Sequence, residues 1–227
     1  MKRVIAGLDL GQSGDFSAFV VADVSPIPDL MTYVPPGEPT PEVNRFDFRH
    51  LWRWPLGTKY TEIVSDLKRW FVMTPQWQSS TLVVDGTGVG RAVVDMIGES
   101  QLPCEVKPFS ITAGKEPNLS TEDGKMPTVP KKDLVGAVAV CLESRRLRFA
   151  PSLDLTEVVQ KELENFRVTI DEVTRNETFG AGREGKNDDL VLAVSLVCWH
   201  GEQTGCGDHG VIVPSAAEQA AFGKYRR

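Results

Sequence analysis

The sequence has no apolar run approaching the roughly 18 residues that a membrane-spanning helix needs. Its start, "MKRVIAGLDLG", meets Asp9 and glycine too early for a signal peptide. These absences predict a cytoplasmic chain with no membrane partner. There is no C-x-x-C pair either: the four cysteines, Cys104, Cys141, Cys198 and Cys206, are scattered. The first three lie in or beside apolar runs, as reduced, buried thiols do. "CWHGEQTGCGDH" holds the residue types of a zinc site in Cys198, His200, Cys206 and His209. The one-residue gap of C-x-H is unusual for zinc, however, and Cys198 falls on the apolar face of a predicted helix. No G-x-x-x-x-G-K-[ST] occurs, which excludes a Walker-type ATPase. "DGTGVG" also fails as a dinucleotide fingerprint, because its third glycine would fall on Arg91.

Positive charge is in deficit. The net charge of −6 argues against nucleic-acid binding by bulk electrostatics, although clustered carboxylates that bind cations give the same count. Basic residues do gather locally, at Lys131 and Lys132, in "ESRRLR", at Arg183 and Lys186, and in the tail "GKYRR".

What remains is the composition of an ordinary α/β protein, 227 residues and 41% hydrophobic, enough for one sizeable core. "RVIAGLDLG" and "FSAFVVADV" read as a hairpin of strands around "GQSGD". A proline-rich excursion leads to a third strand near Val43–Trp54. "TKYTEIVSDLKRWFV" has the 3.6-residue apolar period of a helix, with Thr58 or Thr61 as its cap. "STLVVDG" is a fourth strand, apolar throughout and so buried on both faces. "GRAVVDMIGES" is a helix and "CEVKPFSI" a fifth strand. Residues 112–130 have no periodicity and read as a mobile loop. Three helices follow, "KKDLVGAVAVCLESRRL", "DLTEVVQKELENFRV" and "NDDLVLAVSLVCWH", with a short strand near Val168–Val173. The tail from about residue 205 reads as flexible. This order predicts a single α/β domain over residues 1–227 with a ribonuclease-H-like (RNase H-like) fold. Its central mixed sheet has three antiparallel strands followed by parallel strands, and helices flank it.

On this framework the acidic residues fall at meaningful places. Asp9 lies near the end of strand one and Asp85 at the end of strand four, while Asp188 and Asp189 open the last helix. Singly, each suits a turn or a helix start, where Asn187 would be the cap. Together they meet at one sheet edge, where their repulsion calls for protons or divalent cations. Hard cations such as magnesium or manganese prefer a few carboxylates plus waters and phosphate oxygens. One or two such ions, about 3.5 to 4 Å apart when paired, drive phosphodiester hydrolysis without a protein nucleophile.

The same residues resemble the nuclease domain of the phage large terminase. "AGLDLGQSGDFSAFVVAD" resembles that family's first motif, an aspartate at a strand end with a second acid, Asp15, after it. "LVVDGTGVG" resembles the second, and "GKNDDLVLAVSLVCW" the third, with Asn187 where the family commonly has His. The resemblance implies a divalent-metal-dependent DNA endonuclease with Asp9, Asp85, Asp188 and Asp189 as catalytic and metal-binding residues and Asp15 as an auxiliary ligand. It further implies double-stranded DNA as substrate, contacted by Lys131, Lys132, Arg183 and Lys186. With no ATPase motif in the chain, a separate packaging ATPase, portal or small terminase would be its partner. Two rivals share the pattern: a Holliday-junction resolvase-like nuclease, and an actin-like or sugar-kinase-type ATP-binding domain, whose two duplicated halves this length does not accommodate.

Overall fold

The computed structural model describes residues 2–12, 14–88, 90–114, 116–121, 125–170, 177–181 and 187–206. Strands β1 (Arg3–Asp9), β2 (Ala18–Pro28) and β3 (Glu42–Arg53) form the expected antiparallel meander. Helix α1 (Tyr60–Met73) and a single 3₁₀ turn at Pro75–Trp77 lead to β4 (Thr81–Asp85), which pairs with β1 in parallel. Helix α2 (Gly90–Glu99), strand β5 (Glu105–Thr112), a short strand β6 (Thr128–Pro130) and helix α3 (Lys131–Glu143) follow. Strand β7 (Leu147–Phe149), helix α4 (Thr156–Asn165), the hairpin strands β8 (Phe166–Ile170) and β9 (Glu177–Ala181), and helix α5 (Asp189–Gln203) complete the order. The main sheet runs β6-β5-β4-β1-β2-β3-β7, antiparallel through β1, β2 and β3 and parallel elsewhere. This is the predicted mixed sheet flanked by helices.

Both faces of the central strands are covered, which is why their sequences are apolar without alternation. Ile5, Val20 and Val83 pack on the side of α3, α4 and α5. Ala6, Leu8, Phe19, Leu82 and Val84 pack on the other side, against Ile63, Leu67 and Phe71 of α1 and Ile97 of α2. Helix α5 is buried from Asp189 to Gly201 except at half-buried Leu192, as its largely apolar sequence requires. It can lie this close to the sheet because β1 has glycine at position 7: a Cβ there would run into the carbonyl oxygen of Ala193.

Several boundaries differ from the sequence reading. Neither Thr58 nor Thr61 caps α1; the cap position is Lys59, without a side-chain bond, and the Thr58 hydroxyl donates to the Pro55 carbonyl at 2.7 Å. The stretch 112–130 is not a loop throughout, since β6 pairs with β5 and Asn118 bridges Thr128. The helix expected to run through "ESRRL" stops at Glu143. Arg145 turns to φ 56° and releases the chain into β7, which pairs with β3. Likewise α4 ends at Asn165, and "FRV" opens a two-stranded ribbon with β9. Asp188, not Asn187, occupies the cap position of α5 and makes no side-chain capping bond. Among the described residues, no helix is long and apolar enough to cross a membrane.

Candidate active site

The site is built from a row across four strands. Asp9 ends β1 opposite Ala18 of β2, and Ala18 is opposite Arg53, the last residue of β3. On the other side β1 and β4 run parallel with Leu8 beside Val84, which brings Asp9 and Asp85 to the same level. Cross-strand partners project to the same face, here the face covered by α5. The start of α5 supplies Asp188 and Asp189 from above.

Asp9, Asp85 and Asp189 are 6%, 7% and 6% exposed, and Asp188 is half-buried. The carboxyls of Asp9 and Asp85 are close enough for each to shift the other's titration. Burial pushes the Asp9 carboxyl well above the usual carboxylate range, and the charges of Asp85, Asp189 and Asp188 push it further. Burial also raises Asp85. Hydrogen bonds from Thr87, the neighbouring Asp9 carboxyl and the charge of Lys131 oppose that rise. Asp189 is pushed up to about 6, chiefly by burial, against the opposing pull of Arg53. Desolvation and like-charge repulsion are the two ways of penalising an ionised carboxylate, and both act here.

The glycine loop after β4 shapes its neighbour. The Thr87 N–H donates to Asp85 Oδ1 at 2.8 Å, and the Thr87 hydroxyl accepts from the Ile111 N–H at 2.6 Å. Gly88 has φ 76°, a conformation glycine adopts without strain. The amide at position 87 therefore serves Asp85 and not a phosphate. The loop fixes one oxygen of the Asp85 carboxylate.

Two cations stand inside the cluster. Lys131 Nζ lies 3.1 Å from Asp188 Oδ2, so this lysine, expected on the DNA-binding surface, faces the aspartates from the start of α3. Lys132, half-buried beside it, lies within electrostatic reach of Asp133. Arg53 Nη2 lies 3.6 Å from Asp189 Oδ2, is paired with Glu162 of α4, and stacks its guanidinium 5.0 Å from the Phe16 ring centroid. Glu162 Oε2 in turn accepts from the Val191 N–H at 3.1 Å, capping α5 from a neighbouring helix where Asp188 does not. Sequence reading missed Arg53 and Glu162. The first looks like any strand-end arginine, and the second lies in a helix that reads as amphipathic. Asp15 sits exposed on the β1–β2 turn, close enough for its charge to raise Asp189. Arg183 and Lys186 lie outside the described residues.

The donor set suits a hard divalent cation: carboxylate oxygens only, buried, mutually repelling, with Asp189 Oδ2 making no hydrogen bond. Among the described residues, no three acidic, His or Cys side chains close on one point. Lys131 draws Asp188 one way and Arg53 draws Asp189 another. The best-placed pair is Asp9 with Asp85, and one or two carboxylates completed by water and substrate oxygens is a common magnesium arrangement. The zinc-like set is not assembled: the Cys198 thiol is buried beside Cys141, His200 is buried and pushed down to about 4, and Cys206 Sγ donates to Asn44 Oδ1 at 2.9 Å. His209 lies outside the described residues.

By sequence, no family model and no curated protein matches the chain. By structure it is similar to the large terminase nuclease from thermophilic phage G20c, with 20% identity and a TM-score of 0.57 over 86% of this chain and 81% of that one. A magnesium-bound structure of that nuclease aligns equally well, at 19% identity and TM-score 0.57 over 87% and 80%. The mutant nuclease domain of the large terminase subunit of bacterial virus Sf6, with manganese and beta-thujaplicinol, aligns at 13% identity and TM-score 0.57 over 87% and 88%. The chain thus has the RNase H-like fold that the nuclease domains of large terminases adopt.

Proposed function

We propose that this chain is a divalent-metal-dependent DNA endonuclease acting as large terminase nucleases do, on double-stranded DNA, with Asp9, Asp85 and Asp188 or Asp189 as its catalytic carboxylates. The observation that carries this reading is the buried carboxyl pair of Asp9 and Asp85 at adjacent strand ends beneath the acidic start of α5. So costly an arrangement makes sense where a cation completes it. Bound magnesium or manganese, one ion or two, would supply an activated water and offset charge on the phosphate during in-line displacement.

The chain's own groups do the rest. Asp9 and Asp85 give up the proton between them and present oxygens side by side. The Thr87 amide holds Asp85 by one of its oxygens. Lys131 steadies Asp188 and Arg53 steadies Asp189. Lys132, Arg183 and Lys186 are the proposed contacts to the DNA backbone, and Asp15 an auxiliary acid at the rim. Such phosphate contacts carry no sequence information and weaken steeply with salt. A packaging role would add a separate ATPase, portal or small terminase as partner, in the cytoplasm of a host cell. The occupied Thr87 amide speaks against the ATP-binding alternative, which needs that loop free for phosphates.

The test is a nicking assay on supercoiled plasmid, four-way junction and linear duplex, with manganese, magnesium or EDTA. Metal-dependent cutting of plasmid and linear DNA is expected. ATP hydrolysis without any cutting would contradict the proposal, and exclusive cutting of junctions would move the chain to the resolvase-like class.

A further inference from the structure

The Arg53 guanidinium is unusual for a cation beside a proposed metal site because it has no freedom to leave. Its side chain is 15% exposed. Glu162 of α4 holds it on one side, the Phe16 ring covers it, and Asp189 Oδ2 lies 3.6 Å away. Glu162 is itself pinned by the Val191 amide. In the strand row, Arg53 stands two positions from Asp9, separated by Ala18. A divalent ion ligated by Asp189 would sit against this fixed positive charge in a buried environment, where repulsion is poorly screened.

Resting on the metal-dependent reading above, we infer that Arg53, held by Glu162, takes the place of a second divalent ion beside Asp189, so that the site binds a single ion at Asp9 and Asp85. Arg53 is a positioning residue here: it neutralises Asp189 and Glu162 together and keeps the start of α5 over the sheet edge. Asp189 Oδ2 is buried with no hydrogen bond, and Arg53 Nη2 lies 3.6 Å from it. Burial lowers the Arg53 pKa and the charge of Asp189 opposes that fall; an arginine starts so high that the guanidinium stays charged at neutral pH, and there it can stand in for a metal ion.

Manganese binding counts the ions directly. Full-length chain is titrated with manganese chloride below millimolar concentration, and bound metal is read from the loss of the free-ion paramagnetic resonance signal. Wild type is expected to bind one ion per chain. The paired variant R53Q/E162Q, which removes both charges of the pair and leaves the Asp189 carboxylate to be neutralised by metal, is expected to bind two, and Arg53→Lys one, since it keeps the cation. Thermal melting establishes that each variant is folded. Asp85→Ala should lower the count by one in both wild type and the paired variant. Two ions in wild type, or one in folded R53Q/E162Q, would overturn the inference and leave the metal reading standing. Failure of every variant to bind manganese would overturn both.

Discussion

Asp9 and Asp85 end neighbouring parallel strands at the same level, close enough for each carboxyl to shift the other's titration. Two carboxylates in contact cannot both ionise without a compensating cation. Asp85→Asn keeps a side chain that can bond Asp9 but removes one of the two charges. In EDTA at neutral pH it is expected to stabilise the protein, by on the order of 1 kcal/mol, the scale of one pKa unit. Urea unfolding of the variant beside wild type checks this, and lower stability would contradict it.

The same burial gives the metal-free protein an inverted pH dependence. Asp9, Asp85 and Asp189 all have folded-state values above their ordinary one. For such groups the unfolded chain releases protons first as pH rises, so their contribution to stability is full below about 4 and is lost as pH rises through the folded values. For Asp189 that window runs from about 4 to about 6, with an upper bound of roughly 3 kcal/mol. Melting curves between these limits in EDTA should show falling stability, and magnesium or manganese should restore it at neutral pH.

Arg53 and Glu162 form a buried ion pair, and removing one partner strands the other. Glu162→Ala and Arg53→Ala are each expected to cost roughly 3 to 5 kcal/mol. The double variant should cost clearly less than their sum, since the pair is coupled. Additive costs in a double-mutant cycle by chemical denaturation would show that the two side chains do not act on each other.

Gly7 marks where α5 meets the sheet. Gly7→Ala places a methyl against the Ala193 carbonyl and is expected to cost about 1 to 3 kcal/mol, as overpacking does. It should also slow manganese-dependent cutting, because α5 carries Asp188 and Asp189. A variant as stable as wild type with unchanged cutting would remove this contact from the account.

Most of the fold was legible because the central strands are continuous apolar runs and α1 carries a helical period, and "TLVVDG" announces both a buried strand and its end. The three-residue strands β6 and β7 were not, because so short a strand has no period; pairing with β5 and β3 makes each of them. The aspartates could be found because each ends an apolar strand or opens an apolar helix. Arg53 and Glu162 could not, because their meaning depends on α4 folding back over the end of β3, a contact between residues 109 positions apart. Lys131 was read as a surface cation for the same reason: sequence shows its charge, while only the fold shows that it faces Asp188.

The claim that these carboxylates form one catalytic centre is tested most directly by plasmid cutting in manganese, comparing wild type with Asp85→Ala and Asp188→Ala. Losing a ligand that supplies several kcal/mol of charge stabilisation should slow cutting by about 10³-fold or more, at tenfold per 1.36 kcal/mol. Both folded variants are expected to leave the plasmid supercoiled while wild type nicks and linearises it. Manganese-dependent cutting that persists at the wild-type rate in both variants would contradict the account.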